Sequence, residues 1–135
     1  EADIIMGASE TINGNSKSIR KVRLRRFLTS RDFNHGAMFV KKDCYMDIGT
    51  YDACGNIYAD FKWYIKARKE QKVFRIVDDN LYIFNCGGIS TQKTVLSAVN
   101  RVKDRYDCYK SNGCSGLYII ECILMETAKL ILVKG

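Results

Sequence analysis

Apolar and polar positions fall in blocks along this chain, and the blocks predict both strands and helices. Residues 2–7, A-D-I-I-M-G, form an apolar run that reads as a short buried strand. A polar segment containing Asn13-Gly14 follows. Both positions of such a pair tolerate positive φ, so residues 2–24 read as two strands around a tight turn. Residues 35–41 are mostly apolar without clean alternation, which suits a central strand buried on both faces. Lys41-Lys42-Asp43 opens a short helix with Cys44, Tyr45, Met46 and Ile48 at its apolar positions, and Gly49 closes it as a left-handed cap. Residues 57–69 read as a longer helix. Ala59, Phe61, Trp63, Tyr64, Ile65 and Ala67 make it apolar around much of its girth, so burial is expected.

Residues 72–76 and 81–84 read as short strands separated by an Asp78-Asp79-Asn80 turn, and Asn85-Cys86-Gly87-Gly88 breaks the second. Residues 94–109 have helical spacing, with Val95, Leu96, Val99, Val102 and Tyr106 in phase and Ser111-Asn112-Gly113 at the end. Residues 117–133 give a last amphipathic helix with Leu117, Ile120, Leu124, Ala128 and Ile131 in phase. The chain has no proline, so its helix ends rest on Gly, Asn and Asp. Alternating strand and helix signals, closed by two helices, make an α/β pattern.

A length of 135 residues with 47% hydrophobic content suffices for one packed core. No apolar run approaches the roughly 20 residues that a membrane-spanning helix needs. No secretory-signal pattern occurs in these residues, and the apolar opening at residue 2 predicts further sequence upstream. The six cysteines form no C-x-x-C pair and only one histidine accompanies them, which argues against a zinc knuckle. They read as reduced, mostly buried thiols of a cytosolic protein.

Charge changes the picture most. The 22 Lys and Arg outnumber the 15 Asp and Glu, for a net charge of +7. Such a surplus favours anionic partners. It concentrates in an arm carrying Lys17, Arg20, Lys21, Arg23, Arg25, Arg26 and Arg31, with Ile19, Val22, Leu24, Phe27 and Leu28 between them. The arm reads either as a solvated face over an apolar underside or as a contact for anionic headgroups or a phosphorylated acceptor. It lacks the interleaved aromatics of a base-stacking platform, so nucleic acid is not an expected partner.

Residues 35–90 carry several small motifs in order: His35 ahead of A37-M-F-V-K-K42, then I48-G-T-Y-D52, then A59-D-F-K-W-Y-I-K66, then G87-G-I-S90. In this order and spacing they resemble the carboxy-terminal half of the catalytic domain of inverting family 2 glycosyltransferases, the GT-A type. The opening strand resembles the one that follows the metal-binding segment in those enzymes. The resemblance covers residues 1–92, leaving 93–135 as a carboxy-terminal helical extension. It implies a partial GT-A (Rossmann-like) domain with a mixed sheet and two carboxy-terminal helices. It also implies transfer of a sugar, with inversion, from a nucleotide-diphosphate sugar to a glycan or lipid-linked acceptor.

That reaction needs a base for the acceptor hydroxyl and a cation for the departing diphosphate. Taken alone, Asp60 reads as an acidic residue complementing a helix dipole; the resemblance makes it the catalytic base. His35 is a polar group at a strand end, or a contact to acceptor or diphosphate. Gly36 stands where related sequences often carry Gln. Gly87, Gly88 and Ser90 form a turn that, by the resemblance, borders the donor diphosphate, where backbone N–H groups suit an anion. Asp52, Asp78 and Asp79 read as turn residues. Lys62 replaces a second acidic residue found in many relatives.

The chain contains no Asp-x-Asp. A divalent metal, Mn or Mg, is therefore expected in the intact enzyme, on an upstream half, and not on these residues. The isolated chain is expected to be inactive, and an uncovered sheet edge is expected to drive self-association. The location implied is cytoplasmic, at the inner face of the membrane, with peripheral contact to anionic lipid. The competing reading is a non-catalytic basic module that binds anionic surfaces or nucleic acid.

Overall fold

The computed structural model describes residues 1–32, 34–52, 57–85 and 94–132. Its elements are β1 (Ile4–Asn13), β2 (Ser16–Arg20), β3 (Met38–Val40), α1 (Lys42–Ile48), α2 (Ala59–Lys69), β4 (Phe74–Asn85), α3 (Val95–Ser111) and α4 (Tyr118–Leu132). The fold is mixed α/β: one four-stranded sheet with two closing helices.

β1 is the strand on which the sheet is built. Along one edge it pairs in parallel with β4, from Ile4↔Phe74 to Ile12↔Asn85. Along its other edge two antiparallel strands follow each other: β3 at Ile4 to Met6 and β2 at Ser9 to Asn13. Ile4, Met6, Ala8 and Ser9 of β1 are buried, while Ile5 on its other face is exposed. The hairpin loop is Gly14-Asn15, one residue beyond the expected pair. Gly14 takes φ 57° there, and Asn13 pairs with Ser16.

Three local expectations need correction. First, residues 74–85 form one strand and not two strands about a turn at 78–80. The register runs Met6↔Ile76, Ala8↔Asn80, Ser9↔Tyr82, so β4 carries extra residues opposite β1. This polar segment is a bulge. Gly7 makes room for it: a Cβ there would lie 2.5 Å from the Leu81 side chain and 2.8 Å from the Asp79 carbonyl oxygen. Second, residues 35–41 are not a doubly buried strand. His35–Ala37 is a single 3-10 turn, and β3 pairs with β1 alone among the described residues, with Phe39 61% exposed. Third, Gly49 caps α1 through its N–H to the Tyr45 carbonyl at the expected positive φ of 86°, but its ψ of 169° lies outside the left-handed helical region.

α2 fills the core as expected. Phe61, Trp63, Tyr64, Ile65 and Ala67 are buried and pack in one cluster with Ile4 and Met6 of β1, Cys108 and Tyr109 of α3, and Cys122 of α4. Cys44, Cys108 and Cys122 are buried free thiols and Cys114 is half-buried. Burial pushes Cys108 and Cys122 up to about 12. Cys54 and Cys86 lie outside the described residues.

The two closing helices dock by an unexpected side. Thr94 caps α3 by accepting the Ser97 N–H at 3.1 Å. The buried face of α3 is Ala98, Arg101, Arg105, Cys108 and Tyr109, and that of α4 is Cys122 and Glu126. Glu126 accepts from Arg101 Nε at 2.7 Å and from Arg105 Nη2 at 2.8 Å, with all three side chains at most 5% exposed. The apolar stripes anticipated on both helices are only partly turned inward: Val102 and Tyr106 of α3 pack against the core and Ala128 of α4 is half-buried, while the rest faces solvent. Val95, Leu96, Val99, Leu117, Ile120, Leu124 and Ile131 are all exposed. Among the described residues no helix is long and apolar enough to cross a membrane.

Candidate functional site

Asp60 stands in the first turn of α2, where the aromatic helix meets the surface. Its Oδ1 accepts the Phe61 N–H at 2.7 Å, so one oxygen is fixed against the helix N-terminus. Its Oδ2 lies 3.9 Å from His35 Nδ1. The Asp60 side chain is 29% exposed and that of His35 is 54% exposed. The two residues that the sequence singled out separately therefore form one site, open to solvent on the histidine side.

Burial raises the Asp60 carboxyl above the ordinary range, outweighing the Phe61 N–H and the nearby His35, both of which favour the anion. A carboxylate of this kind is a better proton acceptor than an exposed aspartate, and it stays within reach of a ligand.

Aromatic residues that the sequence reading passed over wall the pair. The His35 ring meets the edge of Tyr51 with centroids 5.7 Å apart. The Tyr51 hydroxyl is 3.1 Å from that of Tyr45, and both rings pack on Trp63. Trp63 donates from Nε1 to the Gly49 carbonyl at 2.6 Å, which ties the loop after α1 to the middle of α2. Burial, then the Tyr45 hydroxyl, pushes the Tyr51 phenol well up, so it stays protonated at neutral pH. Only the Gly-Thr-Tyr-Asp motif could have drawn attention to Tyr51 in the sequence.

Gly36 has a structural reason. A Cβ at this position would lie 2.5 Å from the Tyr82 ring. Tyr82 of β4 occupies the space that a larger residue after His35 would need, and the turn carrying His35 is pressed against the sheet. Asp52 pairs with Lys62, which holds its carboxyl below the usual range. Lys62, the departure from a second acidic residue, thus ties the 51–52 loop to α2. Asp78 pairs with Lys21 at 3.5 Å on the surface.

The start of α2 is anchored from behind. Arg105 donates from Nη2 to the Tyr58 hydroxyl at 2.9 Å, and its guanidinium lies 5.1 Å from the Tyr58 ring centroid. The same Arg105 holds Glu126 of α4, so the residues just ahead of Asp60 are tied to both closing helices. Gly87, Gly88 and Ser90 lie outside the described residues.

The basic arm folds back on itself. Arg20 donates from Nη2 to the carbonyls of Ser30 and Arg31 at 2.9 and 2.8 Å, and Arg25 pairs with buried Asp32 at 3.1 Å. Between these residues runs an open groove of about 490 Å³, bordered by Lys21, Arg23 and Arg31. Of the arm's apolar residues only Val22 is buried, and Ile19, Leu24 and Phe27 are exposed.

No group of three or more His, Cys, Asp or Glu able to hold a metal stands together among the described residues. The described residues therefore offer no divalent-cation site of their own. No family model, no curated protein and no solved structure matches this chain.

Proposed function

We propose that this chain forms the acceptor-side part of an inverting GT-A glycosyltransferase, with Asp60 as the general base and His35 beside it as a substrate contact. The observation that carries this reading is Asp60 itself. It is a partly desolvated carboxylate, pinned at a half-buried helix N-terminus, with one oxygen turned toward a histidine on an open surface.

The mechanism follows from that placement. Asp60 Oδ2 takes the proton of an acceptor hydroxyl as its oxygen attacks the anomeric carbon of a nucleotide-diphosphate sugar. The new C–O bond forms on the face opposite the departing nucleoside diphosphate, which inverts the configuration. The raised proton affinity of Asp60 suits it to this step. Oδ1, held by the Phe61 N–H, keeps the carboxylate from turning. Tyr51, protonated and wedged between His35 and Trp63, limits the approach of water from one side. The donor and its metal would be held by an upstream half bearing the Asp-x-Asp that this sequence lacks.

The test is to express the gene product with its upstream coding sequence and offer it a panel of nucleotide-diphosphate sugars and glycan or polyprenyl-phosphate acceptors. A product with inverted anomeric configuration is expected. Retention of configuration, or no transfer from any donor while the protein is folded, would overturn the reading.

A further inference from the structure

α4 presents its apolar residues to solvent and its carboxylates to the protein. Its two carboxylates are engaged inward, Glu126 by Arg101 and Arg105 and Glu121 by Thr29 and Tyr109, and Lys129 bonds Glu126 from a half-exposed position. The opposite face carries Leu117, Ile120, Leu124 and Ile131, each between 54% and 73% exposed. It continues into an apolar groove of about 280 Å³ against α3, floored by Val95, Val99, Ile123 and Leu130. A helix in water normally shows the reverse arrangement, and an apolar surface of this extent marks a contact.

What covers it is indicated by its neighbour. The basic arm is packed on the first turns of α4. Phe27 stacks on Tyr118 with centroids 4.8 Å apart, the Leu28 N–H reaches the Tyr118 hydroxyl at 3.4 Å, and Thr29 donates to Glu121 at 2.8 Å. Phe27 and Leu24 are themselves exposed, among arginines. No carboxylate among the described residues pairs with the side chains of Arg23 or Arg31. An apolar helix face flanked by exposed cations and an exposed aromatic complements a negatively charged lipid surface. A second copy seated on this face would bring two chains of net charge +7 together.

We propose that the outward face of α4, with the basic arm beside it, docks the protein on an anionic bilayer. The helix lies in the plane of the interface, with Leu117, Ile120, Leu124 and Ile131 in the acyl boundary and Arg23 and Arg31 at the headgroup phosphates. The inference stands on this surface and not on the transferase reading.

The experiment is co-sedimentation with mixed phosphatidylcholine–phosphatidylglycerol vesicles, and with pure phosphatidylcholine vesicles, without donor or acceptor. Analytical ultracentrifugation of the protein alone accompanies it. Binding to the anionic vesicles is expected, weakening as salt rises. Leu124→Ser and Ile131→Ser each lower partitioning about tenfold, from the apolar burial they remove. Arg23→Glu and Arg31→Glu each lower it fivefold or more, since about fivefold is what one cation contributes near such a surface. These positions are exposed, and circular dichroism checks that the variants fold. Absence of pelleting with either vesicle overturns the proposal, as does equal binding to neutral vesicles. A dimer that Leu124→Ser dissociates, without vesicle binding, assigns the face to self-association and overturns it too.

Discussion

Replacing Glu126 with leucine removes the carboxylate that bonds two buried guanidinium groups. Arg101 and Arg105 bond it at 2.7 and 2.8 Å from positions no more than 5% exposed. Breaking a buried ion pair by deleting one partner costs about 3–5 kcal/mol, most of it the stranded charge. Here two charges are stranded, so a value at or above the upper end is expected. Lys129, the third partner, is 46% exposed in its side chain and adds little. Against a typical total of about 5–15 kcal/mol, the loss is severe. It should also be localised, because α4 docks through this carboxylate together with buried Cys122 and the Tyr118 ring stacked on Tyr109. Urea unfolding should show the unfolding free energy falling by that amount, read as a lower midpoint at an unchanged slope, and hydrogen exchange should show α4 losing protection first. A triple variant, Arg101→Met, Arg105→Leu, Glu126→Met, should recover part of the loss, since apolar residues of similar volume leave no buried charge, while the Tyr58 hydroxyl loses its Arg105 donor. A Glu126→Leu protein within about 0.5 kcal/mol of the parent, the range of an ordinary surface change, would refute the buried triad. The pH dependence has a definite sign. Burial raises the Glu126 carboxyl, but the Arg101 and Lys129 hydrogen bonds outweigh it and leave it below its ordinary value. Its contribution is therefore present above the ordinary glutamate range and is lost as pH falls through the folded-state value.

Asp60→Asn should stabilise the fold at neutral pH. Burial raises the Asp60 carboxyl, so its ionisation costs stability as pH rises through the folded-state value. Thermal melts of parent and variant should converge in acid, below the ordinary aspartate range, and separate toward neutrality; a variant that melts lower at neutral pH would contradict the burial argument. Gly36→Ala should destabilise by about 1 kcal/mol, the low end for overpacking, because the half-exposed Tyr82 ring can swing aside; adding Tyr82→Ala should cancel that increment in a double-mutant cycle. Gly7→Ala should cost more, about 2–3 kcal/mol, since one of its obstacles is the Asp79 carbonyl of the β4 backbone; equal losses at the two glycines would refute this.

Much of the fold was legible because its signals are local. The girdle of apolar residues on α2, the Gly14 turn, the Gly49 stop and the mixed α/β order all follow from residues close in sequence. The failures share a cause. Asp78-Asp79-Asn80 reads as a turn until Gly7, some seventy residues earlier, is seen to leave room for a bulge. The segment 35–41 reads as buried until it is seen to have a single strand partner. The helices of residues 94–133 read as amphipathic, which is right, but periodicity cannot say which face turns inward. That choice was made by Glu126 meeting Arg101 and Arg105 across two helices. At the candidate site, Asp60 and His35 were singled out one by one, and their approach to 3.9 Å is a tertiary fact. Tyr51 sat in a motif with no role assigned to it, and Tyr45 and the Arg105–Tyr58 anchor carried no motif of their own.

The account turns on Asp60, and the direct measurement is the single-turnover transfer rate of the upstream-extended gene product and of its Asp60→Asn variant at saturating donor and acceptor. Asparagine keeps the shape and can still accept the Phe61 N–H, but it cannot take a proton. The rate should fall about 10²–10⁴-fold, the range of general-base catalysis, with donor affinity unchanged and the melting point no lower than the parent's. A variant that transfers within a factor of about three of the parent, or under 1 kcal/mol of barrier, would remove Asp60 from the chemistry and the proposed function with it.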